Sequence, residues 1–74
     1  MNLCDLKRGD KAVVLKVDLP ILLKERLRAL RISAGAKLTV LKVSVRKGTY
    51  LIESGSGEVA LGRDVAEGIR IWKT

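Results

Sequence analysis

The chain has 74 residues, of which 15 are basic and 8 acidic, and its net charge is +7. A chain of this length predicts one domain, residues 1–74, with a thin core and no room for a deep enclosed active site. It has no histidine and one cysteine, which excludes an intramolecular disulfide, a Cys/His zinc site and a histidine-activated nucleophile. We therefore expect neither enzymatic activity nor a bound cofactor or metal.

A turn and a strand open the chain. Residues 5–10 (DLKRGD) have the composition of a turn, and residues 11–17 (KAVVLKV) predict a short β-branched strand. Because side chains alternate along a strand, Val13, Leu15 and Val17 are expected to share one face.

The next segment, residues 18–30 (DLPILLKERLRAL), changes to a helical period. Its leucines at positions i, i+4 and i+7 form one stripe, made of Leu23, Leu27 and Leu30. Asp18 is expected to cap the N-terminus of this helix through its side chain. The segment therefore predicts one helix inserted into a chain that otherwise has the pattern of strands.

The positive charge is concentrated in the middle of the chain. Residues 19–47 contain eight basic residues and one acidic residue, so they account for the whole net charge of +7. Lys24, Arg28 and Arg31 lie on a flank of the helix away from the leucine stripe. A charged run of this kind is usually a solvent-exposed face, and basic residues also suit the last turn of a helix.

The second half of the chain predicts four more strands and one helical turn. Residues 36–46 form the longest strand candidate, and the change of apolar phase between Val40 and Leu41 predicts a bulge or a sharp bend. The remaining segments are the strands 49–54 and 58–61 around a flexible SGSG turn, a helical turn over 63–67, and a last strand over 69–72. Five short strands, one inserted helix and one helical turn predict a mainly β, partly open barrel.

Other patterns that would carry chemistry are weak. The four carboxylates near turns do not have the spacing of a loop that wraps a cation: Glu53, Glu58, Asp64 and Glu67. The GSG at residues 55–57 lacks the following GK[ST] of a phosphate loop. Tyr50 and Trp72 are the only aromatic residues, and they make a poor platform for stacking bases.

Several short motifs, in this order and spacing, resemble the FeoA family. The family pattern is roughly RL..LG...G..I.V, and the chain has Arg26-Leu27, Leu30, Gly35, Leu38 and Val40 in these places. The other positions of the resemblance are a turn glycine before the pattern and an apolar ending after it: Gly9, Leu61, Ala66, Ile69 and Ile71. The chain departs from the family where Arg31 replaces the usual glycine and where Gly62 is inserted.

The resemblance implies an SH3-like barrel and a role in bacterial ferrous iron uptake. FeoA-like proteins are cytoplasmic, and the implied partner is the large membrane ferrous iron permease with a GTPase domain (FeoB-type). The protein would bind this permease and regulate or assemble it, and would reach the inner membrane, with peripheral contact to its anionic surface, through that partner. We expect the partner to contact the basic face formed by Lys24, Arg28, Arg31, Lys42, Arg46 and Lys47.

Two other functions remain open from the sequence. The net charge of +7 and the isoelectric point of 10.1 suit a barrel that binds nucleic acid such as ribosomal RNA, although the scarcity of aromatics argues against it. The second is a regulatory domain related to metal-dependent repressors of the diphtheria toxin repressor type, whose C-terminal domains are similar barrels. Trp72 is expected either to point outward and mark a surface for self-association or to cover the open end of the barrel.

Overall fold

The computed structural model describes residues 1–74, and it contains five strands, two α-helices and, before the first strand, one turn of 3-10 helix (Leu3–Asp5). In chain order the strands and α-helices are β1 (Lys11–Val17), α1 (Ile21–Ala29), β2 (Lys37–Ser44), β3 (Thr49–Ser54), β4 (Gly57–Gly62), α2 (Arg63–Ala66) and β5 (Ile69–Lys73). All strand pairs are antiparallel, and the sheet order is β4-β3-β2-β1-β5. The predicted mainly β architecture, with one inserted helix and one helical turn, is confirmed.

The core lies on the inner face of this sheet, and it contains no buried polar or charged residue. Its fifteen residues are Leu3, Leu6, Ala12, Val14, Val17, Leu27, Ile32, Leu38, Val40, Tyr50, Ile52, Leu61, Ala66, Ile69 and Ile71. Leu30 is half-buried and packs against this core. The Cys4 thiol beside Tyr50, together with burial, raises the pKa of the Tyr50 phenol above its ordinary value.

A bulge in β1 overturns the face predicted for this strand. The pairing of β1 with β5 shifts register between Val14 and Lys16, so the residue between them adds one position to the strand. As a result Ala12, Val14 and Val17 are buried, whereas Leu15 is 56% exposed. The prediction that Leu15 shares a face with Val17 is therefore wrong.

A second bulge lies in β2, where the sequence predicts one. The pairing of β2 with β3 shifts register between Val40 and Lys42. Leu38 and Val40 are buried before the bulge, and Val43 is half-buried after it. Bulges bend a strand and increase its twist, which allows β2 to pair with β1 along its first half and with β3 along its second.

The start of α1 differs from the prediction. The helix begins at Ile21, and the residue before it, Pro20, makes no capping hydrogen bond with its side chain. Asp18 lies further upstream, where its backbone N–H donates to the Gly68 carbonyl oxygen at 2.7 Å. The prediction of Asp18 as the capping residue is therefore wrong, because its backbone is held by the turn that precedes β5.

The end of α1 is held by the β3–β4 turn. The Leu30 carbonyl oxygen accepts hydrogen bonds from the Ser54 hydroxyl at 2.9 Å and the Ser56 hydroxyl at 3.0 Å. Arg31 follows with a φ of 61°, a left-handed conformation that usually requires glycine. Its side chain lies over Gly55, with Cδ 2.9 Å from the place that a Cβ there would take. The turn predicted to be flexible and polar therefore packs on the residues that end the helix.

Neither helix is long and apolar enough to cross a membrane.

Candidate docking surface

A groove of about 460 Å³ runs between α1 and the second half of β1. Half of its ten lining residues are hydrophobic, and the set is Leu15, Lys16, Val17, Ile21, Lys24, Glu25, Arg28, Ile32, Ser33 and Ala34. The groove therefore combines an apolar lining with a charged rim.

The apolar lining has a buried floor and two exposed walls. Val17 and Ile32 are buried and form the floor. Leu15 is turned outward by the bulge in β1, and Ile21 is the first residue of α1; they are 56% and 65% exposed. Two exposed large apolar side chains that line the same open groove are typical of an interaction surface.

The rim of the groove is positively charged. It carries Lys16, Lys24 and Arg28 against one carboxylate, Glu25. The single ion pair in the structure lies elsewhere and joins Lys73 Nζ to Asp10 Oδ1 at 3.6 Å. The three cations are therefore free to pair with an anionic group on a partner.

The structure divides the six basic residues predicted to contact a partner. Lys24 and Arg28 lie together on the groove. Arg31 points toward the β3–β4 turn, as described above. Arg46 and Lys47 line a separate shallow depression beside the β2–β3 turn, and the sixth residue, Lys42, is exposed in β2 opposite Leu51 of β3.

Sequence reasoning did not find the apolar part of the groove. Simple alternation predicts that Leu15 lies with the core residues of β1. The bulge cannot be recognised in the sequence, because apolar residues occupy both the odd and the even positions of this strand. Ile21 and Leu22 precede the leucine stripe of α1, and the helical period gave no reason to distinguish them. In the structure Ile21 lines the groove, whereas Leu22 is 82% exposed and does not.

The chain is similar to known proteins both by protein family and by structure. The FeoA domain model matches residues 1–72 of the chain. No curated protein sequence matches the chain significantly.

Among solved structures, the solution NMR structure of the FeoA protein from Chlorobium tepidum is 32% identical with a TM-score of 0.91, and the match covers 99% of this chain and 70% of that one. A crystal structure of an iron uptake regulatory protein (FeoA) is 24% identical with a TM-score of 0.85, and the match covers 97% and 93% of the two chains.

A manganese-dependent transcriptional repressor contains a similar domain. It is 23% identical with a TM-score of 0.90, and the match covers 99% of this chain but 40% of the repressor. At this identity the likeness shows a shared fold alone. The predicted SH3-like barrel, and its similarity to repressor domains, are confirmed by these matches.

Proposed function

This chain belongs to the FeoA domain family, and on that premise we propose that it is an accessory protein of ferrous iron uptake that binds the membrane ferrous iron permease. The family match over residues 1–72 carries this proposal. The protein acts by binding rather than by catalysis, and it regulates or assembles the permease from the cytoplasmic side. Its contact point is the groove between α1 and β1.

The groove suits a partner segment that presents an apolar side chain flanked by carboxylates. Burial of a large aliphatic side chain between Leu15 and Ile21 stabilises a complex by about 1.5–3 kcal/mol. Ion pairs at the exposed rim with Lys24 and Arg28 add about 0.2–1 kcal/mol each. Affinity therefore comes mainly from the apolar lining, whereas the cations select the partner and speed its association.

The test is a binding titration with the purified cytoplasmic GTPase domain of the permease from the same organism. Ile21→Ser is expected to weaken binding at least about tenfold, because an aliphatic anchor is lost. Leu22→Ser is the matched control, since Leu22 is the next residue of α1 but does not line the groove. This control is expected to bind within about twofold of the unmodified chain.

A second pair of variants tests the rim. Arg28→Glu is expected to weaken binding, mainly through a slower association rate, and Arg26→Glu is its control because both arginines lie in the last turn of α1 and only Arg28 lines the groove. Equal losses in both members of each pair would remove the groove from the proposal. No binding by the unmodified chain would contradict the proposed function itself.

A GTPase assay on the same complex separates regulation from assembly. GTP hydrolysis by the permease domain, measured with and without saturating chain, is expected to change if the protein regulates the partner. Unchanged hydrolysis together with tight binding would assign the protein to assembly instead.

A further inference from the structure

A second surface of the molecule combines the single tryptophan with four cations. It is the outer face of β5, β1 and the start of β2, which we call the β1/β5 surface, and it consists of Lys11, Val13, Lys16, Lys37, Arg70 and Trp72. The register brings these residues together. Val13 lies between Trp72 on one side and Lys37 on the other, and Arg70 lies directly opposite Lys16.

The side chains of this surface have no partners within the chain. Trp72 is 67% exposed, so it points outward as alternation with Ile69 and Ile71 predicts, and it does not cover the core. None of the four cations takes part in an ion pair, and no carboxylate belongs to the surface. Like charges directly opposite each other on neighbouring strands are destabilising, so the Lys16–Arg70 pair is unfavourable for folding.

We propose that the β1/β5 surface binds the anionic surface of a phospholipid bilayer. An indole ring has an apolar body and a polar N–H, and it is well suited to the headgroup level of a membrane. Each lysine or arginine close to anionic lipid raises membrane binding about fivefold. The surface offers one such ring with cations on both sides of it, and Val13 supplies an apolar neighbour.

A bilayer fits these residues better than a nucleic acid does. Proteins that bind single strands stack successive bases on several aromatic side chains, and this surface has one. The ring stands beside an aliphatic residue, Val13, which lies directly opposite it on β1. Apolar side chains of this kind gain free energy by entering the headgroup layer, which a phosphate backbone does not provide.

This inference does not depend on the proposed function. The permease groove is formed by α1 and the second half of β1, and of the β1/β5 surface it shares Lys16 alone. Variants of Lys37 and Arg70 therefore test the membrane surface without changing the groove.

The experiment measures binding to vesicles of phosphatidylcholine mixed with phosphatidylglycerol, and to vesicles of phosphatidylcholine alone. Because Trp72 is the only tryptophan, its emission reports directly on this surface. With the anionic vesicles we expect a blue shift, protection from acrylamide quenching and co-sedimentation of the chain. With the neutral vesicles we expect none of these changes.

Two double variants with the same change of net charge decide whether the location of the charge matters. Lys37→Glu with Arg70→Glu is expected to reduce vesicle partitioning at least about 25-fold, because two cations are lost from the surface. Arg46→Glu with Lys47→Glu alters the β2–β3 turn instead, and it is expected to partition within about threefold of the unmodified chain. All four residues are exposed, and circular dichroism confirms that each variant is folded.

Four outcomes would overturn the inference. The first is the absence of a blue shift and of co-sedimentation with anionic vesicles. The second is an equal loss in both double variants, which would assign the binding to net charge. The third is tighter binding to an RNA oligonucleotide than to the vesicles. The fourth is a blue shift on concentrating the chain alone, with dimers in sedimentation, which would make a second copy the occupant.

The two proposals fail separately. Ile21→Ser is expected to keep vesicle binding while it loses the permease domain, and Lys37→Glu with Arg70→Glu is expected to do the reverse.

Discussion

The two ends of the sheet carry like-charge pairs of opposite sign. At one end Lys16 of β1 faces Arg70 of β5, and at the other Glu53 of β3 faces Glu58 of β4. A like-charge pair across two strands therefore does not by itself mark a binding surface. The difference between the two ends lies in the residues around each pair.

At the β3/β4 end, polar side chains are used within the molecule. The hydroxyls of Ser54 and Ser56 both donate to the Leu30 carbonyl oxygen, and Arg31 packs over the turn between them. At the β1/β5 end, Trp72 and its neighbouring cations make no such contacts. The comparison indicates that the β3/β4 end uses its exposed polar side chains within the molecule, whereas the β1/β5 end leaves them available to a ligand.

Glycine substitutions should show the largest difference between the ends. A Cβ on Gly68, just before β5, would lie against the Leu19 side chain and 2.8 Å from the Asp18 carbonyl oxygen. Gly68→Ala is expected to lower the free energy of unfolding by about 2–3 kcal/mol, because the backbone of the β1–α1 connection must move. Urea denaturation measures this loss.

The matched substitution at the other end is Gly55→Ala. There a Cβ would meet Arg31 Cδ at 2.9 Å, and a flexible side chain can move aside. We expect a loss below about 1 kcal/mol, partly offset by the lower entropy of the unfolded chain. Equal losses at Gly68 and Gly55 would contradict the contrast between a backbone contact and a side-chain contact.

The serine hydroxyls at the β3/β4 end should have the next largest effect. Ser54→Ala with Ser56→Ala removes both hydrogen bonds to the Leu30 carbonyl oxygen, and it is expected to lower the free energy of unfolding by about 1–2 kcal/mol. Thermal unfolding measures the change, and Ser44→Ala in β2 is a control at another half-buried serine. Vesicle binding should be unchanged, and a loss of it would show that this end also contributes to the ligand surface.

Single charge reversals should give the smallest change in stability. They should also separate the two ends of the sheet most clearly in vesicle binding. Arg70→Glu and Glu53→Lys each convert a like-charge pair into an attractive one, so each is expected to stabilise the fold by about 0.5 kcal/mol. Only Arg70→Glu is expected to weaken vesicle binding, at least about fivefold. If Glu53→Lys weakened it equally, the two ends would not differ in the way we propose.

The periodicity of the sequence was sufficient to predict the strands and helices, but it did not predict the buried face of every strand. The bulge in β2 was predictable, because the apolar phase changes visibly between Val40 and Leu41. The bulge in β1 was not, because KAVVLKV has apolar residues in both phases and several alternations fit it equally well. Only the pairing with β5 determines that Leu15 faces outward, and that pairing joins segments more than fifty residues apart in the chain.

The same limit applies to the charged surfaces. Along the chain the positive charge is concentrated in residues 19–47, and this focused the prediction on the helix. In the structure the β1/β5 surface takes Lys11 and Lys16 from before that segment and Arg70 from after it. Antiparallel pairing brings these cations together, whereas a count along the sequence separates them.

Arg31 illustrates a departure from the family pattern that the sequence identified and the structure explains in part. The residue takes the left-handed conformation of the glycine it replaces, with a φ of 61°. An arginine in this conformation costs about 1–2 kcal/mol relative to glycine. Its packing on Gly55 provides contacts that a glycine could not make.

The N-terminal residues have a consequence for how copies of this chain can aggregate. Asn2 forms an antiparallel bridge with Arg70, and the Met1 carbonyl oxygen accepts a hydrogen bond from the Ile71 N–H. This covers part of the outer backbone edge of β5, whereas no segment pairs with the outer edge of β4, the strand at the other end of the sheet. Edge-to-edge association of two copies through β4 would use this open edge of both copies and would close at a pair.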